Sequence, residues 1–166
     1  MGLRVSASIT LGGVLNASTY RALCDVIEKE GLSLEWDGER FEAHHRRDGE
    51  PLRLHAHDVS WGRFDMLEPL CAAWGLPFVR WSGSHPGQFG AERVVFTGTG
   101  MPRTFSADDD DVVVIVRETV ETLASMAAVL AYFDAADFTV PPLVVEGSAG
   151  RVAAVPEPVT RPTGDG

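Results

Sequence analysis

An alternation near the start of the chain constrains the fold more than any other feature. Apolar and polar residues take turns over nine positions, with Leu3, Val5, Ala7, Ile9 and Leu11 separated by Arg4, Ser6, Ser8 and Thr10. Because successive side chains of a strand point to opposite faces, this pattern predicts a β-strand with one buried face and one polar face. The fold is therefore expected to contain a sheet that packs against other elements on that apolar side.

Helix and strand signals follow one another through the first half of the chain. An apolar stripe at i, i+3, i+4 and i+7 predicts a helix that starts after Asn16 or Ser18 and ends at Gly31. A second stripe predicts a helix that ends at Gly75, with a kink at Pro69 or a regular part that starts near it. Short alternating runs predict three further strands, over residues 32–36, 52–59 and 77–82.

The remaining signals complete a prediction of fold class. They indicate a hairpin, a buried β-branched strand and a long helix, over residues 93–106, 112–116 and 118–135 respectively. The order of elements predicts an α+β fold, a ferredoxin-like split β-α-β sandwich (βαββαβ) extended by a β-hairpin, a further strand and a long C-terminal helix. Residues 1–146 are expected to form a single domain, followed by a flexible Gly/Pro-rich tail at 147–166.

The net charge of −10 is unevenly distributed along the 166 residues. Residues 1–106 contain 13 acidic and 11 basic residues, whereas residues 107–166 contain 11 acidic and 3 basic residues. A strongly acidic surface repels phosphate backbones and attracts basic partners. We therefore expect no direct binding of nucleic acid and predict a basic protein surface as the partner. Acidity that serves only solubility is the competing interpretation.

The acidic residues of the last third define a candidate partner-binding surface. One uninterrupted acidic run precedes the strand predicted at 112–116, and further acids lie near the two ends of the helix predicted at 118–135. The candidate partner-binding residues are Asp108, Asp109, Asp110, Asp111, Glu118, Glu121, Asp134 and Asp137. The run lacks the alternate spacing and the Gly of an EF-hand loop, which favours a hydrated loop or a negative knob over a calcium site.

Two histidines on one predicted strand define a second candidate site. His55 and His57 share the polar phase of the strand over 52–59, and two histidines at i and i+2 on one face can chelate a metal. His85, from a Gly/Pro-rich loop, is the candidate third ligand of a zinc site, although its spacing matches no recognised pattern. The alternative at the same strand is a metal-free histidine catalyst.

The strand order of the predicted sandwich places polar side chains beside these histidines. The first and third strands are neighbours in that order, so Ser6 and Ser8 are expected next to His55 and His57, and His55, His57 and Ser8 are the candidate catalytic residues. Glu35 and Arg80 are expected on the two flanks of this cluster. Serine, histidine and a carboxylate on one surface suggest a catalytic triad, but the nucleophile motif Gly-x-Ser-x-Gly is absent.

The tryptophans and cysteines bear on burial and on compartment. Trp36 falls in the inward phase of its predicted strand and is expected in the core; core packing is also expected for Trp81, with an exposed position near the Gly/Pro-rich loop as the alternative. Cys24 and Cys71 lie on apolar helix stripes, which predicts buried free thiols and a cytoplasmic location. The chain contains no apolar run of the roughly 18 residues that span a bilayer, so no membrane association is expected.

The incomplete catalytic and metal patterns favour a protein that is not an enzyme. The leading prediction is an acidic binding module that occupies a basic surface of a partner and inhibits a nucleic-acid-handling protein by imitating backbone charge. The alternative is a small metal- or histidine-dependent enzyme, hydrolase-like in its chemistry, with zinc as the cofactor of the metal-dependent form. A homo-oligomer held together by the helix at 118–135 is the third interpretation.

Overall fold

The computed structural model describes residues 2–147, which form a mixed α+β fold. In chain order the elements are β1 (Arg4–Leu11), β2 (Gly13–Asn16), α1 (Ala17–Glu30), β3 (Leu52–Ser60), α2 (Leu67–Trp74), β4 (Phe78–Ser82), β5 (Glu92–Phe96), β6 (Arg103–Ser106), α3 (Arg117–Leu123), α4 (Met126–Ala136) and β7 (Leu143–Glu146). A short 3₁₀ helix, Ala43–His45, precedes β3. Within residues 2–147, no helix has the length and apolar character that crossing a membrane requires.

Five strands form one antiparallel sheet in the order β3-β1-β4-β5-β6. The alternating strand β1 lies between β3 and β4, and its residue Ser8 pairs with His55 on one side and with Trp81 on the other. The hairpin of β5 and β6 extends the sheet beyond β4. The strands predicted at the start of the chain, over 52–59, over 77–82 and in the hairpin are confirmed.

One face of the sheet is covered by α1 and α2. Ile9 and Leu11 of β1 are fully buried in the same core as Leu23 and Ile27 of α1 and Leu67 of α2. The apolar phase of the alternation is therefore the phase that faces the helices. The polar phase of β1 lies on the opposite face, called the outer face from here on.

The predicted helix ends and the position of Pro69 are confirmed. The side chain of Asn16 caps α1 by accepting a hydrogen bond from the Thr19 backbone N–H at 2.8 Å. Gly31 ends the helix with a left-handed φ of 70°. Pro69 is the third residue of α2, where a backbone N–H has no partner within the helix, so the missing donor disrupts nothing.

The outer face is covered over only one of its halves. Where β4, β5 and β6 lie, Val95 and Phe105 are buried with Ala136 of α4, and Val79 and Tyr132 pack against them. The half formed by β1 and β3 instead presents polar side chains that are half-buried or exposed. This uncovered half contains the candidate histidines.

The strand predicted over residues 32–36 is not a strand. Only Ser33 pairs with the sheet, where it exchanges two backbone hydrogen bonds with His55 at 2.8 and 2.9 Å. The chain then turns back on itself, because Leu34 N–H donates to Glu39 O and Phe41 N–H donates to Leu32 O. Residues 32–41, called the Trp36 loop below, therefore form a narrow loop at the edge of β3.

The β-branched run over residues 112–116 also differs from its prediction. It contains a single bridge, between Ala107 and Val113, and Val112 and Val116 are more than half exposed. The acidic turn before it orients the chain, since Asp108 accepts a side-chain hydrogen bond from the backbone N–H of Val112 at 2.9 Å. In the part of the chain that the structure describes, no full strand pairs with the run, so β propensity alone does not make it a strand.

The long helix predicted over residues 118–135 is two helices, α3 and α4. Ala124 adopts a left-handed φ of 65° and ends α3. Ser125 then caps α4, because its hydroxyl accepts a hydrogen bond from the backbone N–H of Ala128 at 3.1 Å. A serine that caps a new helix competes with continuation of the old one, and the apolar stripe alone does not reveal this break.

A two-stranded parallel sheet was not predicted. β2 pairs with β7, so that the short apolar run at Leu143 lies beside Gly13. The preceding Gly12 is required there, since a Cβ at this position would lie 1.8 Å from the carbonyl oxygen of Pro141. Apart from Gly147, the tail predicted over 147–166 lies outside the described residues.

Candidate functional site

The uncovered half of the outer face forms an open groove of about 530 Å³. We call it the sheet groove. It is lined by Ser6, Ser8, Thr10, Trp36, Arg53, Leu54, His55, His57, Trp81, Asp109, Asp110 and Asp111. Both candidate sites of the sequence contribute to it, since the two histidines lie on its floor and part of the acidic run lies on its rim.

The groove floor follows from strand pairing. Because Ser8 is opposite His55 in the β1–β3 register, the polar phases of these two strands form one surface. Ser6 and His57 also meet there, with 2.9 Å between Ser6 Oγ and His57 Nδ1. The predicted juxtaposition of these serines and histidines is thus confirmed, while their chemical role stays a prediction.

The Trp36 loop places an indole ring over the histidines. The ring centroid of Trp36 lies 4.8 Å from that of His55, 5.1 Å from that of His57 and 6.2 Å from that of Trp81. Trp36 was expected in the core, but its side chain is 40% exposed. The error follows from the strand that does not form: once the chain leaves the sheet after Ser33, alternation no longer assigns Trp36 to a face.

A carboxylate from the same loop contacts His57. Asp37 Oδ1 lies 3.1 Å from His57 Nε2, so the two ring nitrogens of His57 contact a carboxylate and a serine hydroxyl. Asp37 is held at the turn of the loop with a left-handed φ of 58°, a conformation that Asp tolerates better than most residues. Ser6 and His57 are thus hydrogen-bonded, and Asp37 lies within ion-pair distance of the other ring nitrogen of His57.

His55 has a different environment from His57. Burial lowers the pKa of the His55 imidazole below its usual value, and hydrogen bonds to the backbone of Leu34 and Ser33 oppose part of this effect. Its Nδ1 lies 3.1 Å from the carbonyl oxygen of Leu34, which can only accept, so in the neutral ring Nδ1 carries the proton and Nε2 carries the lone pair. His55 is therefore a neutral acceptor near pH 7.

The acidic run forms the rim of the groove, and much of it is held by the protein itself. Asp109 accepts hydrogen bonds from the backbone N–H and the hydroxyl of Ser84, both at 2.8 Å. Asp111 contacts Arg93, with 2.9 Å between Oδ1 and Nη2. Within residues 2–147 the carboxylate of Asp110 has no hydrogen bond or ion pair, so it is the acid of the run with the greatest freedom to meet a ligand.

Hydrogen bonding keeps Asp109 ionised. The backbone N–H and then the hydroxyl of Ser84 lower the pKa of its carboxyl, outweighing the small opposing effect of burial. Asp109 is exposed and retains its charge, whereas the charge of Asp111 is offset by Arg93. The rim is thus negative mainly through Asp109 and Asp110.

The other predicted partner-binding acids do not line the groove. Asp137 contacts Arg93 at 3.3 Å, so it shares one guanidinium with Asp111. Glu121 pairs with Arg117 on the surface of α3 at 2.7 Å. Two further acids, Glu118 and Asp134, are exposed on α3 and α4.

The structure does not assemble the predicted zinc site. In the part of the chain from residue 2 to residue 147, no three His, Cys, Asp or Glu side chains are grouped to hold a metal ion. His85, the candidate third ligand with His55 and His57, lies in a separate turn where its ring is 5.9 Å from that of Phe89. Its Nδ1 is buried there and has no hydrogen-bond partner among residues 2–147.

Arg80 was expected beside the histidines and is instead buried on the helix side of the sheet. Its side chain is only 3% exposed and contacts Glu68 at 2.9 Å and Glu92 at 3.1 Å. Two carboxylates and the hydroxyl of Ser82 satisfy the guanidinium, which makes its burial tolerable. Since alternate residues of β4 face opposite sides, burial of Arg80 directs Trp81 into the groove.

Sequence reasoning missed Trp36, which lines the groove, and Asp37, which contacts His57. The sequence contains a turn signal at this point, Asp37-Gly38. That signal predicts a turn but does not indicate where in the fold the turn lies. Comparisons of the chain with protein-family models, with curated proteins and with solved structures found no match.

Proposed function

We propose that the protein binds a basic segment of a partner protein in the sheet groove. The observation that carries this proposal is the placement of two tryptophans next to an acidic rim: the rings of Trp36 and Trp81 are 6.2 Å apart, and Asp109 and Asp110 line the same groove. A Lys or Arg side chain stacked on an indole gains about 0.5–2 kcal/mol, depending on how far it is desolvated. Neighbouring carboxylates add attraction and orient the cation.

The charge of the whole chain supports the same partner class. A net charge of −10 attracts basic surfaces over longer distances and raises the rate of encounter with them. Surfaces that bind nucleic acid are basic, so a nucleic-acid-handling protein is the partner class we propose. Occupation of its basic surface would inhibit it by competing with the phosphate backbone.

Arg53 adds selectivity to the groove. It lies on the floor opposite Thr10, and it forms no ion pair among the described residues. A purely basic segment would leave this guanidinium without a partner. The proposed segment therefore carries a carboxylate or a free backbone carbonyl beside its basic side chains.

Peptide binding with matched variants tests this proposal. The probe is an amidated Arg-rich peptide that contains one Glu, and its citrulline counterpart is the neutral control; binding is followed by calorimetry at low and high salt. Trp36→Ala is expected to weaken binding by about twofold to thirtyfold, the range that cation–π energies imply. Asp110→Asn is expected to weaken it by up to about fivefold, the upper value for an exposed charge pair.

Asp134→Asn is the control because it removes the same charge from α4, away from the groove. It is expected to leave affinity within error at physiological salt. Equal losses for Asp110→Asn and Asp134→Asn would mean that overall charge, not the groove, attracts the peptide. That result, or binding of the citrulline peptide with the same affinity, would overturn the proposal.

We also propose that the sheet is ferredoxin-like and that the protein is cytoplasmic. The order β3-β1-β4, with α1 and α2 on one face, supports an extended ferredoxin-like sheet, and the Ser33–His55 bridge lies where the remaining strand of such a sheet would run. Free thiols at Cys24 and Cys71 support a cytoplasmic location. An experimental structure in which the Trp36 loop packs away from β3 would contradict the ferredoxin-like part.

A further inference from the structure

A serine and a histidine of the sheet groove and a carboxylate beside it lie in contact one after another. Ser6 Oγ is 2.9 Å from His57 Nδ1, and His57 Nε2 is 3.1 Å from Asp37 Oδ1. The three residues come from β1, β3 and the Trp36 loop, so the tertiary fold rather than local sequence brings them together. Nucleophile, base and orienting carboxylate within such distances are the geometric signature of an activated serine.

The contacts of His57 favour one tautomer of its neutral ring. A carboxylate such as Asp37 can only accept, so it stabilises the tautomer that carries its proton on Nε2. In that tautomer Nδ1 carries a lone pair and accepts a hydrogen bond from the Ser6 hydroxyl. The serine proton is then directed at the base that would remove it.

A β-bulge lies at the same place. The β1–β3 register is regular from Leu11 to Ala7 and shifts by one residue between Ala7 and Val5, so that His57 and Asp58 lie opposite Ser6. Asp58 has a left-handed φ of 55°, and its carbonyl accepts a hydrogen bond from Arg4 Nη1 at 2.8 Å. Bulges interrupt the ladder and are frequent beside active sites, where they direct side chains.

The bulge determines which side chains of β3 are buried after Ala56. Without the extra residue, the alternation after Ala56 would direct Asp58 into the core and Val59 towards solvent. In the structure Val59 is buried and Asp58 is exposed, while His57 stays on the groove side. The bulge thus lies at the point where His57 meets Ser6, where it keeps His57 on the groove side.

We propose that the sheet groove also hydrolyses carboxylic esters, with Ser6 as nucleophile, His57 as general base and acid, and Asp37 as positioning residue. Ser6 Oγ attacks the ester carbonyl carbon while its proton passes to His57 Nδ1. The tetrahedral intermediate expels the alcohol, which takes that proton from Nδ1, and acyl-Ser6 remains. Water then attacks the acyl carbon, gives its proton to Nδ1 and releases the carboxylic acid, and the proton returns to Ser6.

Each catalytic cycle consumes one ester and one water molecule and forms one carboxylic acid and one alcohol. This activity goes beyond the proposed binding function and does not depend on it. The groove is open to solvent and Ser6 is only half-buried, so an ester can reach the hydroxyl. Trp36 lies over His57 and offers an apolar surface for the acyl or alcohol group.

Covalent labelling of the intact protein tests the nucleophile. A fluorophosphonate probe is incubated with the 166-residue chain, and the modified residue is identified by mass spectrometry. Label on Ser6 is expected, with loss of at least about 100-fold in labelling rate for His57→Gln, the lower range for removal of a general base. Ser106→Ala is the control, since this exposed serine of β6 lies outside the groove, and it is expected to label like the wild type.

Hydrolysis of p-nitrophenyl acetate tests turnover and the role of Asp37. Asp37→Asn is expected to lower kcat by up to about fivefold with KM unchanged, because an exposed carboxylate contributes modestly to the orientation of an imidazole. Circular dichroism confirms that each variant is folded, and identification of the labelled residue in the wild type needs no variant at all. Label on a residue other than Ser6, or a wild-type rate equal to that of Ser6→Ala, would overturn the inference.

Discussion

The two halves of the outer sheet face are continuous in hydrogen bonding and opposite in character. Over β4, β5 and β6, Val95 and Phe105 are buried beneath α4. Over β1 and β3, Ser8 and His55 lie in an open groove. The covered half of the sheet face therefore contributes to stability, whereas the open half presents polar side chains that a ligand can reach. Polar alternation on a strand becomes a candidate site only where no helix covers it.

The boundary between the halves is held by one guanidinium. Arg93 of β5 donates to the side chain and backbone carbonyl of Asp111, to the carbonyl of Ala136 and to Asp137. Its side chain is 13% exposed. These contacts connect the sheet, the acidic rim of the groove and the end of α4. Two acids that were predicted to bind a partner, Asp111 and Asp137, therefore help to join the two halves.

Truncation of Phe105 is expected to change the free energy of unfolding more than any other variant considered. Phe105→Ala removes a fully buried ring that packs against Tyr132 in the covered half, and should lower the free energy of unfolding by about 3–5 kcal/mol. Ser8→Ala in the open half should change it by less than about 0.5 kcal/mol, because the Ser8 hydroxyl has no hydrogen bond among the described residues. Urea unfolding measures both. Similar losses for the two variants would mean that the halves do not differ in this way.

Removal of the boundary guanidinium is expected to have an intermediate effect. Arg93→Ala leaves Asp111 without its cation and the Ala136 carbonyl without a donor, which should cost about 1.5–3 kcal/mol in urea unfolding. Arg93→Lys should recover only part of this loss, because an ammonium cannot donate to several acceptors in the fixed geometry of a guanidinium. Full recovery by lysine would show that charge alone, and not the hydrogen-bond geometry, joins the halves.

Sequence patterns predicted the sheet and its neighbours well because those elements depend on local signals. The alternation over residues 3–11, the Asn16 cap and the Gly31 stop each act within a few residues, and all three are present in the structure. Placement of Ser6 and Ser8 beside the histidines followed once the strand order was inferred. Patterns of this kind identify which face of an element is buried.

The remaining errors arise where tertiary contacts override local preference. Trp36 satisfies strand alternation, yet the chain leaves the sheet after Ser33 and carries the indole over the outer face. Arg80 is charged, yet two carboxylates that are distant in sequence make its burial tolerable. Neither outcome has a signal in a window of ten residues. The groove is accordingly the part of the molecule that sequence reasoning described least completely.

The pH dependence of stability distinguishes the open half from the covered half. Burial lowers the folded-state pKa of His55, so as the pH falls the unfolded chain, with a histidine pKa of about 6.5, binds a proton first. The stability contributed by neutral His55 is fully present above that pKa and is lost as the pH decreases towards the folded-state pKa. The slope for this one proton cannot exceed about 1.4 kcal/mol per pH unit.

His55→Gln is the variant that isolates this effect in urea unfolding between pH 5 and pH 8. Its stability is expected to depend less on pH than that of the wild type below about pH 6.5. The stability of Phe105→Ala should instead lie below that of the wild type by the same amount at every pH in this range, since the side chains packed in this cluster include no His, Asp or Glu. A His55→Gln profile parallel to that of the wild type would contradict the burial of His55.

The smallest expected effect concerns the acidic rim, where the groove meets the loop at residues 83–90. The backbone N–H and hydroxyl of Ser84 lower the pKa of the Asp109 carboxyl, and Ser84→Ala removes the hydroxyl but keeps the backbone donor. The pKa of Asp109 should therefore rise part of the way towards its usual value, as measured by NMR titration of the carboxyl carbon. Ser106→Ala, which removes a hydroxyl on β6 instead, should leave that pKa unchanged. If Ser84→Ala also has no effect, Ser84 does not hold Asp109 in solution, and Asp109 would be as free as Asp110 to meet a basic ligand.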